Sequence, residues 1–388
     1  MRRWGAVLVL AATFVGLAGC SSDGAADPAT TAPQVETTAA PSSAPESSAP
    51  ETTAAETTAP ETTTPSGTWE TVTAPADCMC FDGSEFRYFV KHGDPNKVMF
   101  FFEGGGACFD PSTCGPESQS FKRTIGDPTG RADGIFDQTK PENPFLGWSI
   151  VYVPYCTGDV HIGNAAHDYG NGLVIQHKGF VNGSAALATL AETFPDADQL
   201  VVTGESAGSV PSPLYAGMAA DLFPDARITV LADGSGAYPD IPGINAVIGG
   251  AWGTVNAIPD WPENEGLTAE TRSFPGLFVQ SAKHAPDIVF ARHDYAYDQT
   301  QAFFSGLAGI SADNLVELID KNEQQIETAG VDLKSYISPS DRHTVIGSPG
   351  FYTETQNGVS LLDWVTALVN GDPVEDNHCT VANDGCRG

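Results

Sequence analysis

From residue 67 onward, short apolar runs alternate with amphipathic stretches along the chain. Lys97-Val-Met-Phe-Phe-Phe102, Ser149-Ile-Val-Tyr-Val-Pro154, Leu200-Val-Val-Thr203 and Arg227-Ile-Thr-Val-Leu-Ala-Asp233 are dominated by β-branched and aromatic residues. Such runs are the mark of strands buried on both faces of a sheet. Arg87–Lys91, Gly276–Ala282 and Ile288–Ala291 are further strand candidates. Val181, Ala185, Leu187, Leu190 and Phe194 recur at helical spacing, a second helix is expected through Phe304, and a third over Ala312–Gln325. Alternation of the two kinds of element predicts an α/β protein with a mostly parallel sheet and helices on both faces. A body of roughly 320 residues is compatible with one such unit, assigned to residues 67–388.

Before residue 67 this rhythm is missing. Arg2 and Arg3 precede an apolar run from Ala6 to Ala18, too short to cross a bilayer and typical of a secretory signal. The run ends Leu17-Ala18-Gly19-Cys20, which resembles the lipobox of bacterial lipoproteins, so residues 1–20 are read as a signal peptide and Cys20 as the lipidated residue. Residues 21–66 are almost wholly Ser, Thr, Ala, Pro and Glu; a segment of that composition cannot bury a core and is expected to be a disordered tether. The expected location is therefore outside the cell, held to the envelope by the N-terminal lipid alone.

Charge and cysteine content narrow the choice of partners. The formal net charge is −31, and loss of Arg2 and Arg3 with the signal would take it to −33. A surface that acidic repels nucleic acid and anionic lipid. The eight cysteines of an exported chain point to disulfides. Cys108 with Cys114, and Cys379 with Cys386, are close enough in sequence to close small loops; Cys78 or Cys80 could reach Cys156 if their strands are neighbours. The spacings do not repeat a Cys-x-x-Cys pattern, so no metal is expected.

The candidate chemistry sits where the apolar runs stop. Leu200–Thr203 runs into Gly204-Glu-Ser-Ala-Gly208, a strand, tight turn and helix start that would lift the Ser206 hydroxyl above the sheet. Lys97–Phe102 ends in Glu103-Gly-Gly-Gly-Ala-Cys108, and a triple glycine there can turn backbone N–H groups toward an oxyanion. Gly105, Gly106 and Ala207 are the expected donors. A serine becomes nucleophilic only when an imidazole takes its proton, and a carboxylate must orient that imidazole. Ser206, Asp298 and His343 occur in the order nucleophile, acid, base of an α/β-hydrolase. Asp233 also ends a strand and competes for the acid; His284, His293 and His378 compete for the base. Asp159, His161 and His167 are expected to line the cleft rather than to bind a metal. No cofactor is required.

Taken together, Cys80-Phe-Asp-Gly-Ser84, Phe102-Glu-Gly-Gly-Gly-Ala-Cys108, Tyr155-Cys-Thr-Gly-Asp159, Thr203-Gly-Glu-Ser-Ala-Gly208, Leu231-Ala-Asp-Gly-Ser-Gly-Ala-Tyr238 and Ala296-Tyr-Asp-Gln299 resemble the pectin acetylesterase and Notum carboxylesterase family, in its bacterial branch. The resemblance implies an α/β-hydrolase-like fold, Ser206 as nucleophile, Asp298 as acid, His343 as base, and a disulfide between Cys80 and Cys156. It implies a monomeric esterase removing acetyl or another short acyl group from a carbohydrate or a small ester, with a lipase or polyester depolymerase as the rival activity and a surface binding protein without turnover as the non-enzymatic one. Ala107 stands where relatives usually carry tryptophan.

Overall fold

The computed structural model describes residues 67–379 and Cys386. The signal, tether and Cys20 expectations fall outside these residues. In chain order the strands are β1 (Trp69–Thr73), β2 (Arg87–Lys91), β3 (Asp94–Phe102), β4 (Trp148–Val153), β5 (Ala165–Asp168), β6 (Val174–His177), β7 (Gln199–Glu205), β8 (Arg227–Asp233), β9 (Val289–Tyr295), β10 (Leu333–Ser338), β11 (Thr355–Gln356), β12 (Val359–Ser360) and β13 (Asn377–His378). The helices are α1 (Pro111–Cys114), α2 (Gly179–Thr193), α3 (Ser212–Leu222), α4 (Pro242–Trp252), α5 (Phe274–His284), α6 (Gln299–Leu307), α7 (Leu315–Thr328) and α8 (Leu361–Asn370).

Among the described residues nine strands form one mixed sheet in the order β1-β2-β4-β3-β7-β8-β9-β10-β13. Its pairings are parallel from β4 through β13, and only β1 with β2 and β2 with β4 are antiparallel. The pleat sorts each apolar run onto two faces. Val98, Phe100 and Phe102 of β3 join Leu200, Val202, Val230 and Phe290 in a core covered by α2, α3, α5 and α7. Met99 and Phe101 join Ile150, Tyr152, Val201 and Leu231 in a second core, closed by α8 and by irregular chain carrying Ile135, Phe136 and Phe145. The doubly covered α/β sheet expected from the sequence is the one observed, with loops doing much of the covering on the second face.

One element differs from expectation. Gly276–Ala282 lies inside helix α5 and is not a strand. Ser273 caps that helix by accepting the Gly276 N–H at 3.1 Å, and Pro275 sits in its first turn, where a missing N–H costs nothing. Leu277, Phe278 and Ser281 then face inward at helical spacing. Disulfides join Cys80 to Cys156, Cys108 to Cys114 and Cys379 to Cys386, leaving Cys78 free and buried.

Candidate active site

β7 is a central strand, and the chain leaves it through a turn so tight that Ser206 has φ +57°. A side chain pays a steric cost in that region and holds it only where its surroundings dictate the bend. The flanking glycines are forced by close approach: a Cβ on Gly204 would lie 2.2 Å from the Gly208 carbonyl oxygen, and one on Gly208 would lie 2.1 Å from that of Phe102. The strand, turn and helix α3 therefore pack backbone to backbone, which carries Ser206 to the carboxyl end of the sheet.

Neighbouring β3 ends there too, and its glycine loop wraps the serine. A Cβ on Gly104 would meet the Ser206 Cβ at 2.9 Å. The loop is braced from behind by Glu103, whose carboxylate accepts the Tyr155 N–H at 2.9 Å and the Lys122 ammonium at 2.5 Å. His161 Nε2–H donates to the Glu103 carbonyl at 2.9 Å; burial pushes this imidazole down to about 4, so it stays neutral. Among the described residues no protein acceptor takes the N–H groups of Gly105, Gly106 or Ala207. Gly106 and Ala207 line the pocket beside Ser206, whereas Gly105 packs against Tyr155 and Lys122.

The acid and base candidates come from the next strands of the same edge. Asp298 follows β9 and is fully buried. One carboxylate oxygen caps α6 by accepting the Thr300 and Gln301 N–H groups at 2.8 and 3.0 Å; the other accepts His343 Nδ1–H at 2.6 Å and the Gln301 side-chain amide at 3.0 Å. His343 lies on the loop after β10. Burial works to lower its pKa, but the hydrogen bond and charge of Asp298, with Asp233 and Asp294 further off, outweigh it and leave the imidazole above its ordinary value. His343 Nε2 is buried and bonds to nothing, and Ser206 Oγ makes no hydrogen bond among the described residues. Catalytic hydrogen bonds often close only once substrate is bound.

The competing residues have other partners. One oxygen of buried Asp233 faces His293 Nδ1 at 2.8 Å, and the other accepts the Val345 and Ile346 N–H groups at 2.8 and 2.9 Å, so it pins the loop that carries His343. His284 stacks on Trp261 and pairs with Asp221, and His378 pairs with Glu323. The expectation that Asp159, His161 and His167 line the cleft is corrected. Asp159 and His161 are buried braces, Asp159 accepting from Thr157 and the Gly179 N–H, and the neighbours Val160 and Ile162 line the pocket instead. Among the described residues metal-ligand side chains gather in two places: Cys108, Cys114 and His177, of which two form a disulfide, and Glu323, Asp376 and His378, where Glu323 already binds Arg292.

Two features were not anticipated. Glu205, next to the serine, grips Arg131 through both oxygens at 2.7 and 2.9 Å, and that guanidinium lies over the Phe136 ring. Its only trace in the sequence is a charged residue between Gly204 and Ser206. The second is the pocket itself, a largely apolar recess beside Ser206, part of it open to solvent. Val160, Ile162, Ile248, Trp252, Phe274 and Phe304 line it together with Ser206, and helix α4, which supplies two of these, has no counterpart in the sequence reading.

Known proteins resemble this chain in sequence and in fold. Residues 65–248 match the pectinacetylesterase family model. The inactive palmitoleoyl-protein carboxylesterase notum1b of Danio rerio is 31% identical over 109 residues, which is 26% of this chain and 76% of that protein. Pectin acetylesterase 5 of Arabidopsis thaliana is 25% identical over 187 residues, 45% of this chain and 42% of its own length. Palmitoleoyl-protein carboxylesterase notum2 of Xenopus laevis is 33% identical over 94 residues, 22% of this chain, and the match spans only 19% of the frog protein. The crystal structure of the Wnt deacylase Notum from Drosophila has the same fold, with a TM-score of 0.58 at 14% identity over 79% of this chain and 95% of that one. The sequence matches show that this chain belongs to the pectin acetylesterase and Notum family.

Proposed function

We propose that this chain is an exported serine carboxylesterase in which Ser206 is the nucleophile, His343 the general base and Asp298 the residue that orients it. The observation that carries the reading is the pairing of a buried carboxylate with His343 Nδ1 at 2.6 Å, on the same sheet edge as a serine held at φ +57°. With Nδ1–H engaged by Asp298, Nε2 is the basic nitrogen and takes the Ser206 proton as Oγ attacks the acyl carbon. The negative charge that develops on the carbonyl oxygen meets the N–H groups of Gly106 and Ala207, with Gly105 behind them. Each such donor is worth about 3 kcal/mol of barrier. The imidazolium returns its proton to the departing alcohol, and water, deprotonated by the same nitrogen, releases the acid.

The pocket bears on the acyl group. Beside Ser206 the wall is apolar, formed by Ile248, Trp252, Phe274 and Phe304, and each further methylene buried against it adds about 0.8 kcal/mol. This favours an aliphatic acyl chain longer than the acetyl or short group read from the sequence, on a carbohydrate or other alcohol. The three disulfides fit an oxidising compartment, and no helix of the described residues is long and apolar enough to cross a membrane. Residues 1–20 are proposed as the lipoprotein signal ending at Cys20, and 21–66 as the tether. A panel of p-nitrophenyl esters from two to twelve carbons tests the proposal. Turnover abolished by Ser206→Ala and a phosphonate adduct on Ser206 support it; an adduct on another serine refutes it.

A further inference from the structure

One side chain in the apolar pocket does not belong with the others. Arg272 lines it and is only 5% exposed. Its guanidinium makes a single hydrogen bond among the described residues, from Nη2 to the Ala257 carbonyl at 3.0 Å, and its buried Nε–H donates to nothing. Arg292, buried to a similar degree, is treated differently: Glu323 takes it at 2.8 Å, and Asn322, Ser335 and the Ile319 carbonyl accept its further hydrogen bonds. Arg131 has the bidentate grip of Glu205. Arg272 has no carboxylate partner among the described residues. Burial draws it down to about 10, which leaves it charged at neutral pH. Thr254 lines the same pocket, and its buried hydroxyl also lacks a partner.

A guanidinium offers five donors, and a buried charge left unpaired is costly. Capping one carbonyl of the Thr254–Ala257 turn does not balance that cost, because a neutral side chain could do the same. An acceptor entering the pocket would balance it, and a carboxylate would do so best, since two parallel N–H···O bonds match its geometry.

We propose that Arg272 determines specificity by receiving an acceptor oxygen at the far end of the acyl chain, so that the preferred acyl group is the half-ester of a dicarboxylic acid. The proposal rests on the reading of Ser206 as the nucleophile in this pocket. Hydrolysis then splits the ester bond with one water, releasing the alcohol and the free dicarboxylate. The methylenes between the two ends lie against Ile248, Phe274 and Phe304, and the Thr254 hydroxyl supplies a further donor beside the guanidinium.

The test compares six-carbon probes that differ only at the far end, in 0.15 M salt to limit repulsion by the acidic surface. Monomethyl adipate and methyl hexanoate, which share the ester end, are titrated calorimetrically into the full-chain Ser206→Ala variant. The half-ester should bind about 10- to 100-fold more tightly, the range of a charge-assisted hydrogen bond. Equal binding, or tighter binding of methyl hexanoate, overturns the proposal without any change at Arg272. In turnover, kcat/KM for the p-nitrophenyl half-ester of adipate should exceed that for p-nitrophenyl hexanoate by a similar factor. In Arg272→Met the ratio should collapse toward one, mainly through KM, and Arg272→Lys should restore part of it. A ratio that survives Arg272→Met also overturns the proposal. Tight binding of the half-ester without turnover of either p-nitrophenyl ester would leave the Arg272 contact standing and remove the nucleophile reading; brisk hydrolysis of p-nitrophenyl hexanoate with no preference for the adipate half-ester would do the reverse.

Discussion

Replacing Asp298 by asparagine isolates the orienting role proposed for one carboxylate, and its hydrogen bonds dictate how the amide must sit. The oxygen that caps α6 accepts two backbone N–H groups, and these cannot turn away, so the amide oxygen belongs there. The NH2 then falls where the other oxygen was, facing His343 Nδ1 and the Gln301 side chain. Gln301 cannot flip to receive it, because its amide nitrogen also serves Asp294 and its oxygen accepts the Ala237 N–H. His343 is driven to present Nδ1 as acceptor, which puts the proton on Nε2. That is the wrong tautomer for a base, and in serine proteases the same mispairing costs about 10⁴ in kcat, or about 5 kcal/mol of barrier. The thermal midpoint should move little, since the helix cap survives. In the native protein the rate should fall as pH drops through the raised pKa of His343, above 6.5, because only the neutral ring accepts a proton. In Asp298→Asn the strongest raising influence is gone while burial remains, so the acid limb of the residual activity should move to lower pH. Asp233→Asn is the control. Its oxygen can stay with the Val345 and Ile346 N–H groups, and its NH2 can face His293 Nδ1, whose ring is free to change tautomer because Nε2 bonds to nothing. The measurement is kcat/KM on a soluble ester from pH 5 to 9. An Asp298→Asn enzyme within tenfold of wild type, or an Asp233→Asn enzyme more damaged than it, refutes the reasoning.

Other perturbations follow from the same geometry. Ala107 lines the pocket, so Ala107→Trp should cost the longer acyl esters about 10- to 100-fold in kcat/KM, the range expected for overpacking, and spare the acetyl ester; the p-nitrophenyl panel reads this directly. The Cys78 thiol is buried and pushed up to about 11, chiefly by desolvation with Asp77 adding to it. Iodoacetamide should therefore leave it untouched in the native protein and modify it after unfolding without reductant, while the six disulfide cysteines stay unmodified, as peptide mass mapping would reveal. With a net charge of −31, hydrolysis of an acetylated polygalacturonate should rise steeply with salt while that of a neutral acetylated sugar stays flat. Rates on both substrates from 0.01 to 1 M sodium chloride, over which the Debye length falls from about 30 to 3 Å, decide the matter.

The strands and the serine turn were legible because their signals are local. Phe100, Phe102 and Val202 are buried whatever surrounds them, and the close contacts of Gly204 and Gly208 exclude any other residue. Asp233 and Asp298 were harder to separate, since both follow a strand at the same end of the sheet; what divides them is which loop each carboxylate faces. The segment 276–282 was misread because Leu277, Phe278 and Val279 form a short apolar run, although Ser273 and Pro275 before it mark a helix start. The pocket could not be read at all. Its walls come from residues as far apart as Gly106 and Ile310, and no periodicity along one element tells a side chain that faces a cavity from one that fills a core.

Asp298 caps α6 and orients His343 at once, and α6 carries Phe304 into the pocket wall. On the proposed reading, acyl fit and proton affinity would thereby be coupled through one carboxylate. A chain that presses Phe304 outward pulls on the first turn of α6, and the oxygen shared by that turn must follow, lengthening or tightening its partner's bond to the imidazole. Substrates of different shape should then differ in the pH at which they are turned over as well as in how well they bind, so that the enzyme would report the fit of the acyl group in its own titration curve.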